Sequence, residues 1–134
     1  MRISEAAKKC GLSAKTIRYY EEIGLIEPAF RSDNGYREYT GDALGQLRFL
    51  ARAREVGFNL EESRQLLDLL KDSSRQSIHA RALVLEKAQQ LQQRIEKLVA
   101  MQSVLADMAS RCNGDEGPEC AILDDLAKLP EAEQ

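Results

Sequence analysis

Residues 3–39 read ISEAAKKCGLSAKTIRYYEEIGLIEPAFRSDNGYREY, and the order of stops, caps and turns in this stretch decides the fold. Ile3, Ala6 and Ala7 recur at helical spacing, and Gly11 closes that first segment at Cys10, as glycine does at helix C-termini. Ser13 is placed to cap a second helix running from Ala14 to Ile23 before Gly24, because its hydroxyl can accept one of the free first-turn amides. Two short helices joined by a tight glycine-containing turn make a helix-turn-helix. Ile17 supplies the apolar inside together with Leu12, Leu25 and Ile26, while Lys15, Arg18, Tyr19 and Glu22 fall on one outward face. Two cations and an aromatic ring on that face suit major-groove contacts and phosphate anchoring. The same residues also suit a plainly solvated helix.

The next residues favour DNA. Between Arg31 and Tyr39, Asn34-Gly35 is hairpin-turn chemistry flanked by two short segments that read as strands. A two-stranded hairpin after a helix-turn-helix is a wing, and Arg31, Tyr36 and Arg37 on it suit phosphate contacts beside the second helix. As an ordinary surface hairpin they need no partner. Thr40 or Asp42 then caps a third helix through Leu44, Leu47, Phe49, Leu50 and Ala53 to Val56, ended by Gly57. Asn59 caps a fourth with Leu60, Leu66, Leu67 and Leu70 as its apolar set. Arg48, Arg52 and Arg54 make one side of the third helix basic, and Arg54 either braces a phosphate or pairs with a glutamate. Residues 1–70 therefore read as a winged helix-turn-helix domain.

Over residues 71–80 the apolar period is lost, and the segment reads as a hinge. No Gly or Pro interrupts His79 to Cys112. Val84, Ala88, Leu91, Ile95, Leu98, Gln102, Leu105, Ala109 and Cys112 step alternately by four and three, a heptad seam. Lys87, Gln89, Gln90, Gln92 and Gln93 are expected on the outer face. A helix over residues 81–111 would extend ~46 Å at 1.5 Å per residue, farther than the N-terminal domain can cover. The seam needs a partner helix, and a second copy of the chain is the simplest one.

Residues 112–134 begin with Cys112-Asn-Gly-Asp-Glu-Gly-Pro-Glu-Cys120, a loop with two glycines and a proline that can return its ends to one another. Ala121 to Leu129 then reads as a two-turn helix. Soft sulfur pairs favour Cu(I), zinc and related ions. Zinc wants a four-ligand tetrahedron, to which Asp115, Glu116 or Glu119 could add oxygen, whereas two opposed thiolates alone satisfy a monovalent d10 ion. Spacing leaves Cu(I) and zinc both open, and it also leaves Cys112 readable as a seam residue and Cys120 as a free thiol. Cys10 reads as a packing residue and His79 as a solvated one.

The whole chain sets outer limits. It has 134 residues, 43% apolar and 31% charged, with 5% aromatics and no Trp, so it supports a packed core but no large aromatic-lined pocket. No stretch approaches the ~18–20 apolar residues that span a bilayer, and Met1-Arg2-Ile3-Ser4-Glu5 lacks the apolar centre of a signal peptide, so the expected location is the cytoplasm. Three cysteines there point to metal or redox chemistry, not a disulfide framework. Residues 1–58 carry ten Lys/Arg against eight Asp/Glu, and residues 59–134 nine against fourteen. A polyanion therefore belongs to the first half. With a single His, no phosphate-cradling glycine loop and no Ser/His/Asp set, the chain does not read as an enzyme.

The order Ile3-Ser4-Glu5-Ala6-Ala7, Ile17-Arg18-Tyr19-Tyr20-Glu21, Gly24-Leu25-Ile26, Asn34-Gly35-Tyr36-Arg37 and Val56-Gly57-Phe58 resembles the MerR family of transcription regulators. With its long helix and Cys-x7-Cys loop, the chain is similar to the copper-responsive branch of that family, over nearly its whole length. The resemblance implies a mainly α fold, with a winged helix-turn-helix, a long antiparallel coiled-coil dimerisation helix, and a C-terminal metal loop with a short helix. It implies Cys112 and Cys120 as ligands of Cu(I), with Ag(I) or Au(I) as related ions. Lys15, Arg18, Tyr19, Arg31, Tyr36 and Arg37 become DNA contacts, and Tyr20 is as well suited to the core. Relatives that respond to divalent ions place another Cys at the start of the dimerisation helix. Ser77 stands there in this chain and favours +1 ions. The family's homodimer holds promoter double-stranded DNA and, on binding metal, bends and untwists it for RNA polymerase, so copper-efflux and detoxification genes are the expected targets. The tail Leu129-Pro130-Glu131-Ala132-Glu133-Gln134 lacks the added Cys and His of some relatives. Sensing of a divalent metal such as Zn(II), or of an oxidant, through the same cysteine pair is the alternative, as is a non-regulatory copper-binding protein.

Overall fold

The computed structural model describes residues 1–128. Residues 129–134, which include the expected end of the last helix at Leu129 and the tail, lie outside the described residues. The elements in chain order are α1 (Ile3–Cys10), α2 (Ala14–Glu22), β1 (Phe30–Arg31), β2 (Arg37–Glu38), α3 (Gly41–Glu55), α4 (Leu60–Lys71), α5 (Ser77–Arg111) and α6 (Ala121–Ala127). Met1–Lys87 forms one compact unit, and a second begins at Ala88.

Caps and glycines set the boundaries of the first unit. Gly11 ends α1 at φ 77°, a left-handed conformation that costs glycine little. Ser13 starts α2 by accepting the Thr16 amide at 3.1 Å. Of the two candidates for α3, Thr40 is the cap, accepting the Ala43 amide at 3.1 Å. Asn59 and Glu62 form a reciprocal capping box at the start of α4, closed by bonds of 2.9 and 2.8 Å. α1 packs on α2 and α3, and α3 on α4. The contacts bury Ala6, Ile17, Leu47, Leu50 and Leu67 almost completely, with Cys10, Leu12, Tyr20, Leu25, Ile26 and Tyr39 around them. Each buried Leu or Ile contributes about 1.5–3 kcal/mol. Leu70, expected among the apolar set of α4, is exposed in its last turn.

The wing is a two-stranded antiparallel sheet that pairs Phe30 with Glu38 and Arg31 with Arg37. Ser32 and Tyr36 close its tip through a 2.8 Å amide-to-carbonyl bond, and Gly35, at φ 83°, donates to the Ser32 carbonyl at 2.8 Å. The Tyr39 amide then donates to the Met1 carbonyl at 2.7 Å, which returns the wing to the start of α1.

α5 differs from expectation in two respects. It begins at Ser77, inside the segment 71–80 read as a hinge. The apolar period starts later, but helix formation needs only the backbone ladder and the absence of Gly and Pro. The break is confined to the turn after α4, where Asp72 accepts from the Ser74 amide at 2.9 Å and hydroxyl at 2.7 Å. The second difference is Lys87, expected on the outer face but 5% exposed. Its Nζ lies 2.7 Å from Glu62 and over the Phe58 ring, because the first turns of α5 belong to the N-terminal unit. Seam residues beyond it are left uncovered among the described residues: Leu98 and Leu105 are each 62% exposed, and Ile95 is also open. Val99, Met101 and Val104 widen this apolar strip beyond the expected seam. Among the described residues no helix is long and apolar enough to cross a membrane.

Candidate nucleic-acid interface and thiol pair

The structure brings the expected DNA-facing residues together on two neighbouring elements. Lys15, Arg18 and Tyr19 project from the exposed side of α2, opposite Ile17 and Tyr20, which point into the core. Arg31, Tyr36 and Arg37 are exposed on the wing. Arg18 and the three wing residues line a single cleft. Tyr20 is a core residue, which settles the choice its helical position left open.

Glu21, one helix position past Tyr20, holds the wing to α2. Its carboxylate accepts the Arg37 guanidinium at 2.9 Å and the Ala29 amide at 3.3 Å. The Glu21 side chain is 7% exposed and that of Arg37 43%, so the arginine keeps a solvated edge while its inner edge is fixed. Sequence reasoning gave Glu21 no role, because the partners lie eight and sixteen residues away and no periodicity links them. Beside this pair the Tyr39 hydroxyl is buried, with the Glu21 carboxylate as its polar neighbour and no hydrogen bond of ordinary geometry among the described residues. Its pKa is pushed up to about 12, first by burial and then by the adjacent Glu21. On α3, Arg52 pairs with Glu55 at 3.0 Å. Arg54 has no carboxylate partner among the described residues and faces a hollow that Tyr19 also lines.

The cysteine loop closes as its glycines and proline suggested. Cys112 and Cys120 are half-buried free thiols with sulfurs 3.5 Å apart, well beyond a disulfide bond of about 2.0 Å. Gly114 takes a positive φ of 64°, and the Asp115 carboxylate accepts the Gly117 amide at 3.0 Å. Arg111 spans from Asp107 at 3.2 Å to Asp125 at 3.4 Å and so ties the end of α5 to α6. Cys120 is the residue before the first turn of α6. No cap bond of ordinary geometry is closed there. The Leu123 amide nonetheless faces the sulfur and, with the Cys112 thiol, lowers the Cys120 pKa below its ordinary value, against opposition from Asp124. Two adjacent thiols, one already inclined to ionise, fit a thiophilic ion. Among the described residues no group of three or more His, Cys, Asp and Glu side chains is gathered that would complete a larger site. Asp115, Glu116 and Glu119 are not gathered with the two thiols among the described residues, and Ser77 and His79, both exposed, lie in the N-terminal unit.

A helix-turn-helix with a wing, cationic on its open side and followed by a long helix, defines a DNA-binding regulator. Residues 1–70 match the MerR HTH family regulatory proteins, and residues 44–108 match the associated region described as MerR, DNA binding. The chain belongs to the MerR family of transcription regulators, and it is not an enzyme. It is 46% identical over 127 residues to the HTH-type transcriptional regulator CueR of Escherichia coli O6:H1, covering 95% of this chain and 94% of that one. The lead(II) complex of PbrR691 from Ralstonia metallidurans superposes with a TM-score of 0.82 at 34% identity, covering 95% and 99% of the two chains. The mercury(II) complex of MerR from Bacillus megaterium gives 0.74 at 32%, covering 96% and 100%. The chain thus stands among metal-responsive members of the family.

Proposed function

We propose that the chain is a homodimeric, Cu(I)-responsive activator that occupies a promoter with or without metal and, once metal is bound, distorts the DNA so that RNA polymerase can use it. Its genes would be those of copper efflux or detoxification, and it would act in the cytoplasm. The observation that carries this reading is the pair of sulfurs 3.5 Å apart with no third donor gathered beside them among the described residues. The ion supplies a soft, monovalent Lewis acid that two thiolates satisfy, and Ag(I) and Au(I) share that chemistry. Cys112 and Cys120 are the ligands, and Ser77, a hydroxyl at the first position of α5, withholds the extra thiolate that a divalent ion would favour. The lowered pKa of Cys120 keeps it available as thiolate at lower pH than an ordinary thiol. Arg111 and Asp125 hold α6 at the end of α5, so a change in the loop moves a helix and not a lone side chain.

Lys15, Arg18 and Tyr19 on α2, with Arg31, Tyr36 and Arg37 on the wing, are the proposed DNA contacts. The exposed strip around Ile95, Leu98 and Leu105 is the proposed surface for the antiparallel pairing of α5 with a second copy. Metal would then act on DNA shape and not on affinity. The test compares wild type with Cys112→Ser in promoter footprinting and run-off transcription with buffered Cu(I). The variant is expected to occupy the promoter and fail to activate. Normal activation by Cys112→Ser overturns the sensor reading.

A further inference from the structure

A cleft of about 410 Å³ lies between the start of α1, the outer face of α2 and the wing, and it is lined by Arg2, Ser4, Arg18, Arg31, Tyr36 and Arg37 among others, with no carboxylate in its wall. Four guanidinium groups around one hollow repel one another unless an anion joins them. Of the four, Arg37 alone is compensated, by Glu21. Arg2, Arg18 and Arg31 take part in no ion pair among the described residues. The Arg2 guanidinium sits 3.9 Å above the centre of the Tyr36 ring, a stacked cation–π arrangement. Stacking uses the flat face of the guanidinium and leaves its N–H donors, which lie in the plane, free to reach outward.

We propose that this cleft seats a phosphate of the DNA backbone, and that Arg2 is a phosphate contact in its own right, held in position by the Tyr36 ring. The proposal rests on the DNA-binding reading above and adds to it a residue 34 positions from its stacking partner and outside both the recognition helix and the wing. It also gives Tyr36 a second task, as the platform that orients a cation. Unlike a base contact, a phosphate contact acts on every sequence. Each phosphate neutralised steepens the fall of log affinity with log salt by about 0.9, whereas a residue that merely braces the wing leaves that slope alone.

The test is a salt titration of the full-length protein on a mixed-sequence DNA duplex by fluorescence anisotropy, with wild type, Arg2→Ala, Arg2→Lys and Arg18→Ala. Arg2 is exposed, so its removal leaves the fold intact, which circular dichroism checks. Arg2→Ala removes one such contact from each protomer of the dimer and is expected to reduce the salt slope by about 1.8, so that its affinity deficit shrinks about 12-fold between 50 and 200 mM salt. Arg2→Lys is expected to retain the slope and bind more weakly than wild type, because an ammonium has no planar face to stack. An unchanged slope in Arg2→Ala, with Arg18→Ala showing the loss, overturns the proposal and leaves the DNA-binding reading standing. Absence of salt-dependent binding by the wild type overturns both.

Discussion

Replacing Lys87 with Met is expected to destabilise the N-terminal unit by about 2 kcal/mol, although no periodicity argument marks this residue. Removing one member of a buried ion pair costs roughly 3–5 kcal/mol when the other is left without compensation. Two features bring the value down here. Glu62 is 22% exposed on its side chain and keeps the Asn59 amide of the capping box at 2.8 Å. Met also preserves the apolar stem against Phe58. For a chain of this length, ~2 kcal/mol lowers Tm by about 8 °C. Urea unfolding followed by far-UV circular dichroism measures it, at one fixed protein concentration because a dimer's stability depends on concentration. The denaturant slope should be unchanged. Glu62→Gln, and the double variant with Lys87→Met, complete a cycle in which the two single costs exceed their joint cost by about 1–2 kcal/mol. A Lys87→Met cost below about 0.5 kcal/mol, or strict additivity in the cycle, refutes the reasoning.

Two further outcomes follow from the same unit. Ser13→Ala removes the side-chain acceptor of the Thr16 amide and should cost about 1 kcal/mol, read as a lower urea midpoint; no change would mean that water replaces the cap. Tyr39 is pushed up to about 12, so the fold favours its neutral form. That contribution is complete below the ordinary pKa of 10.0 and is lost as pH rises from there toward 12. Urea midpoints measured across that window should fall in wild type and fall less in Tyr39→Phe, and parallel curves would show that Tyr39 does not carry the effect.

Much of the fold was legible because local chemistry decides it. Ser13, Asn59, Gly11 and Gly57 mark helix ends by capping and left-handed backbone, and Asn34-Gly35 marks the wing, each without reference to distant residues. The thiol pair was legible for a similar reason: a short loop rich in turn residues constrains its own ends. What sequence reasoning missed depends on contacts between elements. Lys87 occupies a polar heptad position, and only the arrival of α4 beneath it turns that position into the interior. Glu21 and Arg2 look like solvated charges until the wing folds back, placing Arg37 on one and Tyr36 on the other. The start of α5 escaped because apolar spacing reports which face is covered and not where the backbone ladder begins.

The most direct test of the central claim is a competition titration of the reduced, full-length protein with buffered Cu(I), run beside Zn(II). One tightly held Cu(I) per chain, lost in Cys112→Ser and unmatched by zinc, is the expected result. Tight zinc binding with feeble Cu(I) binding would contradict the two-thiolate reading of Cys112 and Cys120 and the role given to Ser77.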